Sequence, residues 1–196
     1  MAQTPARISE WAAILWLMSL AAPARAQEIV TLSTRPGVTQ AYFLASMPQN
    51  PQAVAVLFSG SGGVINLRKE GEEIKFGGDN FLVRSRSEFI KRGAVTAVLD
   101  APTDQQRDWG MPDEFRKSAE HYTDIAAVLH DLTNRFPGLP ILLVGTSRGA
   151  VSTAALGARF GARVAGVVLS ATMFRPAGRR SNDQGPGLSS FDFAAI

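Results

Sequence analysis

The sequence predicts an α/β fold, a three-layer sandwich around a mostly parallel central sheet. Three observations carry this. The short apolar runs AVAVLF (53–58), AVTAVL (94–99) and ILLV (141–144) have the continuous character of strands covered on both faces. Between them lie stretches whose apolar residues recur at helical spacing. A chain of 196 residues with 45% hydrophobic and 19% charged side chains suits one domain with a real core and excludes a disordered or low-complexity protein.

Residues 1–26 read as a signal peptide. Arg7 gives a basic start, WAAILWLMSLAA (11–22) is apolar but short for a membrane span, and Pro23 breaks it. Ala24-Arg25-Ala26 is then a small-residue cleavage site. The expectation is an exported protein, periplasmic or secreted, cleaved after Ala26 and left without a stable membrane anchor. A buried amphipathic helix and an uncleaved anchor are the competing readings. Residues 27–196 form a single domain. With no Cys there are no disulfides, thiolate metal sites or cysteine nucleophiles. With only His121 and His130 there is little scope for a histidine metal site, so neither metal nor cofactor is expected. Twenty basic against 17 acidic residues is too near balance to indicate nucleic acid, and nothing sets the oligomeric state.

The elements follow in order. Residues 28–34 and 40–46 are β-prone and flank Pro36-Gly37, which reads as a hairpin. Strand 53–58 stops at Ser59-Gly60-Ser61-Gly62-Gly63. Residues 80–92 place Phe81, Leu82, Ser85, Phe89 and Ile90 on one helical stripe that Gly93 closes. Strand 94–99 ends at Asp100, which reads as a local cap rather than a catalytic acid. One long helix is expected to open at Pro112, with Asp113 and Glu114 in its first turn. Its inward face would be Phe115, Ala119, Tyr122, Ile125, Ala126, Leu129, Leu132 and Phe136. Strand 141–144, helix 148–160 and strand 164–169 complete a βαβαβαβ pattern. Residues 176–190, rich in Gly, Pro, Arg and Ser, form a loop. FDFAAI (191–196) reads as the approach to a further strand.

The informative motif is Gly145-Thr146-Ser147-Arg148-Gly149, a G-x-S-x-G. The apolar ILLV leads into it and the small-residue run AVSTAALGARF leaves it, the strand–turn–helix context of a nucleophile elbow. Such a turn strains the Ser backbone and needs Gly145 and Gly149 to avoid clashes. A phosphate-binding turn is the alternative, but G-x-G-x-x-G and the phosphate-loop Gly-Lys-Ser/Thr are both absent. Acyl transfer through a Ser also needs backbone N–H donors for the oxyanion. Arg148, the residue after the nucleophile, supplies one, and Ser61 or Gly62 in the turn after the first parallel strand supplies the other.

With the hairpin, the FSGSGG turn, the VLDAP strand end and LLVGTSRG in this order, the chain resembles the α/β-hydrolase superfamily. It looks nearest to small exported hydrolases of the dienelactone-hydrolase and serine-peptidase-like kind. The resemblance implies an eight-stranded sheet, a Ser–acid–His triad in that chain order, and an acyl-enzyme on Ser147 formed from a small-molecule ester or related acyl substrate. After Ser147 the sequence holds Asp183 and Asp192 but no His. Asp183, in the loop after the fourth core strand, is the possible triad acid. His121 would sit about 80° from the centre of its helix's apolar face, a half-exposed flank position. His130 would lie roughly 13 Å farther along the helix. An unassisted Ser would lose a factor of order 10⁴ to 10⁶ in rate. Two expectations compete: a serine hydrolase whose chain here lacks C-terminal strands and the base, and is inactive as it stands, or a non-catalytic member that binds a ligand or protein.

Overall fold

The computed structural model describes residues 27–77, 79–107, 109–174 and 185–196. The signal-peptide reading of 1–26 and the candidate acid Asp183 fall outside these. Strands β1 (Glu28–Arg35) and β2 (Val38–Leu44) form the expected antiparallel hairpin. There follow β3 (Ala53–Phe58), β4 (Arg68–Glu70), β5 (Glu73–Lys75), α1 (Phe81–Lys91) and β6 (Ala94–Leu99). Next come α2 (Asp113–Arg116), α3 (Ala119–Arg135), β7 (Ile141–Thr146), α4 (Gly149–Phe160) and β8 (Gly166–Ser170). The main sheet has the order β1-β2-β6-β3-β7-β8, while β4 and β5 make a separate small hairpin. Strands β6, β3, β7 and β8 are mutually parallel, and β2 joins β6 antiparallel. The described sheet thus has six strands where the resemblance implies eight.

Alternation along the strands divides the core into two layers. Val54, Val56 and Phe58 of β3 pack with Leu143 of β7 against Ile125, Val128 and Leu132 of α3 and Leu156 and Phe160 of α4. Ala55 and Leu57, with Val98 and Val144, face Leu82 and Val83 of α1 on the other side. A strand buried on both faces leaves little room for polar alternates, Thr96 of β6 being one that is fully buried, so these runs read as nearly continuous apolar segments. Each fully buried Val or Leu contributes roughly 1.5–3 kcal/mol. Strand β8 lies at the sheet edge, where Val168 remains 48% exposed.

Several expectations need correction. The long helix is two helices. Ser118 is the N-cap of α3, its hydroxyl accepting from the His121 N–H at 3.2 Å, so the chain breaks after Arg116 and restarts. The restart rotates the buried stripe to His121, Asp124, Ile125, Val128, Leu129 and Leu132, leaving Ala119 exposed. His121 is therefore not a flank residue but is buried at 1% exposure. In α1, capped by Asn80, Leu82 and Val83 turn inward and Phe81 stays 53% exposed. FDFAAI is no strand approach: the Asp192 carboxylate accepts from the Ala194 N–H and caps a short 3₁₀ turn, Phe193–Ala195.

The strand order positions the site. From β3 the chain crosses through α1, on one face, to β6, then returns past β3 to β7 and continues through α4 on the other face. The turns leaving the C-terminal ends of β3 and β7, neighbours in the sheet, therefore part to opposite faces. A crevice opens where they diverge, the position at which open α/β sheets bind ligands.

Candidate active site

Ser147 stands at the tip of the turn between β7 and α4 with φ +52°, in the left-handed region that costs an L-residue with a side chain about 1–3 kcal/mol. The surrounding structure holds it there. The Ser147 N–H donates to the Ser170 carbonyl at 2.9 Å, tying the turn to the end of β8. The Ser147 carbonyl in turn accepts from the Ala150 N–H at 3.0 Å in the first turn of α4. Both flanking glycines are sterically required. A Cβ on Gly149 would fall 2.1 Å from the Phe58 carbonyl oxygen, and one on Gly145 would fall 2.3 Å from Thr153 Oγ1.

A cleft of about 460 Å³ opens above this turn, lined by Ser61, Gly62, Val64, Trp109, Ser147, Arg148 and Met173. The residues named from the two sequence motifs, Ser147, Arg148, Ser61 and Gly62, thus share one cavity. Trp109, 77% exposed, forms an apolar lip with Val64 and Met173. The turn after β3 is closed by the Gly63 N–H donating to the Gly60 carbonyl at 3.0 Å, and Ser61 within it has φ +50°.

Buried charged groups underlie this cleft. The side chain of Arg148 is buried and its Nη1 donates to Asp113 Oδ1 at 2.7 Å. Asp113 is in the first turn of α2, as expected, and its Oδ2 accepts from the Gly187 N–H at 2.6 Å, so it also joins α2 and α4 to the C-terminal segment. Arg116 is wholly buried. It donates to the Met111 carbonyl at 3.1 Å, Ser152 Oγ at 3.0 Å and the Ser61 carbonyl at 2.7 Å. Burial lowers its pKa to about 10, opposed by Asp113 and assisted by Arg148, so it stays cationic near neutrality. No local signal separates Arg116 from the solvated arginines of other helices.

Asp100 is structural, as its position implied. Its carboxylate accepts from the N–H groups of Ile65, Leu67 and Ala101, each at 2.8 Å, and clasps the loop beyond the Ser61–Gly62 turn to the end of β6. Neither histidine lines the cleft. His130 is exposed on α3 beside Asn134 at 3.1 Å. His121 lies beneath the turn, its ring 5.5 Å from that of Phe115 and 6.3 Å from that of Phe58, and among the described residues neither nitrogen has a hydrogen-bond partner. Burial, with smaller contributions from Arg116 and Arg35, pushes its pKa down to about 3. Among the described residues no group of three or more His, Asp or Glu could hold a metal ion, and no helix is long and apolar enough to cross a membrane.

The strand order, the helices on both faces and the strained serine between β7 and α4 converge with comparisons to solved structures. A lipase in its open form superposes with a TM-score of 0.54 at 18% identity, over 74% of this chain and 44% of the lipase. A thermostable carboxyl esterase from Bacillus coagulans, in complex with glycerol, gives 0.52 at 17% identity, over 74% of this chain and 44% of the esterase. The chain has the α/β-hydrolase fold. Brefeldin A esterase, a bacterial homologue of human hormone sensitive lipase, gives 0.50 at 17% identity, over 87% of this chain and 48% of the other. The family model described as serine aminopeptidase, S33, matches residues 107–187, from the loop before α2 through the serine turn, α4 and β8 into the C-terminal segment. No curated protein matches the chain. This α/β-hydrolase-fold chain spans less than half the length of these three solved structures.

Proposed function

We propose that the chain carries the acyl-transfer half of a serine hydrolase acting on carboxylic esters or related acyl bonds, with Ser147 as nucleophile. The observation that supports this most is the serine at φ +52° opening into the same cleft as the Ser61–Gly62 turn. Attack by Ser147 Oγ would place the carbonyl oxygen of a small-molecule substrate among the N–H groups of Ser61, Gly62 and Arg148. Negative charge developing there is favoured by backbone donors and by the N-terminal end of α4. The names of the structural neighbours, a carboxyl esterase, a lipase and brefeldin A esterase, favour an ester as the bond cleaved. The apolar lip of Val64, Trp109 and Met173 suits an apolar substituent. With residues 1–26 read as a signal peptide, the hydrolase acts after export.

Among the described residues, no His, Asp or Glu lines the cleft. A serine at its ordinary pKa is a weak nucleophile, so the chain needs an imidazole that neither His121 nor His130 supplies. The same observation favours the second reading, a member of this fold that binds a ligand without turning it over. Adding free imidazole separates the two. Hydrolysis of an activated phenyl ester is measured for wild type and Ser147→Ala with and without imidazole, and the rate with imidazole alone is subtracted. Nucleophilic function predicts an imidazole-dependent excess in wild type that Ser147→Ala lacks. Equal rates for the two proteins, with bound ester detected by either, support the binding-only reading instead.

A further inference from the structure

We infer that Arg116 is the positioning residue of the oxyanion-binding turn: its buried guanidinium sets the direction of the Ser61–Gly62 peptide. This rests on the proposed reading of the cleft and assigns a role to a residue outside it. The Ser61 carbonyl accepts from Arg116 Nη2 at 2.7 Å. The described peptide bonds are trans, so the Gly62 N–H points opposite to that carbonyl. Anchoring the oxygen to a buried group beneath the turn therefore turns the N–H away from the core, to the side where Ser147 and Arg148 line the cleft.

Two further observations make this more than packing. Ser61 has φ +50°, a conformation that relaxes unless neighbouring bonds hold it. Arg116 holds it from one side, and on the other the Met111 N–H donates to the Gly62 carbonyl at 2.9 Å. In addition, the guanidinium makes no carboxylate hydrogen bond among the described residues. The nearby Asp113 is engaged by Arg148, and the Met111, Ser152 and Ser61 oxygens to which Arg116 donates are all neutral. A charge-assisted bond to a peptide carbonyl polarises that peptide and strengthens its N–H as a donor. Arg116 thus orients the donor and sharpens it, without touching substrate.

The test uses Arg116→Met, Arg116→Lys and Ser152→Ala, with thermal unfolding as the check on fold. Two readouts are taken: the rate at which a fluorophosphonate modifies Ser147 in imidazole buffer, and the amide resonances of Ser61 and Gly62. The role argued here predicts that Arg116→Met slows modification by about 10- to 100-fold and shifts the Gly62 amide, with Arg116→Lys intermediate. Ser152→Ala removes another bond of the same guanidinium and is expected to leave both readouts near wild type. Wild-type rate and unmoved amides in a folded Arg116→Met would overturn the inference, as would slowing of equal size in Ser152→Ala. If Arg116→Met does not fold, unmoved amides in Arg116→Lys have the same force. Should wild type itself resist the probe, the hydrolase reading fails, and the Gly62 resonance alone then decides the role of Arg116.

Discussion

His121 illustrates how one rotated position changes a residue's chemistry. On a continuous helix from Pro112 it would be a half-exposed flank residue; on the α3 that begins at Ala119 it is the first fully inward position. Its pKa, lowered to about 3 from 6.5, makes the native state bind only the neutral ring. The unfolded chain takes up a proton as pH falls below about 6.5, while the folded chain does not until near 3. Stability is therefore fully present above about pH 6.5 and falls by about 1.4 kcal/mol per pH unit below it, across that window. Urea midpoints between pH 7 and 5 are expected to decline in wild type, whereas His121→Phe should lack this component. Equal slopes in the two proteins would refute the burial argument. The same low pKa makes the imidazole a poor base, so His121 is structural on chemical as well as geometric grounds.

Among elements, those defined by both faces of the sheet were legible in the sequence. AVAVLF and AVTAVL coincide with β3 and β6 because a continuous apolar run has one good solution in a two-sided sheet. The hairpin and α4 were legible for similarly local reasons: Pro36-Gly37 makes the turn, and small residues suit a helix packed closely on β7. The small hairpin β4–β5 was not, since RKE and EIK carry no apolar alternation. The break between α2 and α3 was also missed, because a Ser inside an apolar stripe is ambiguous until its hydroxyl is seen to cap. That cap is testable. Ser118→Ala should lower stability by about 1 kcal/mol in chemical denaturation, and an unchanged midpoint would mean that packing alone starts α3.

For the molecule as a whole, the strand order does most of the functional placement. Because β3 is followed by α1 on one face and β7 by α4 on the other, the turns bearing Ser61–Gly62 and Ser147 meet over one crevice. That the candidate residues at those turns share one cleft was legible from the glycine-rich turns that end β3 and β7. The charged support beneath them was not, because Asp113–Arg148 and Arg116 are joined across distant segments and only the tertiary fold brings them together. The central claim is that Ser147 is a nucleophile held ready in this cleft. Its most direct measurement is peptide mapping after exposure to a fluorophosphonate in imidazole buffer. The account predicts phosphonylation at Ser147 in wild type and none in Ser147→Ala; modification at another residue, or none in folded wild type, would contradict it.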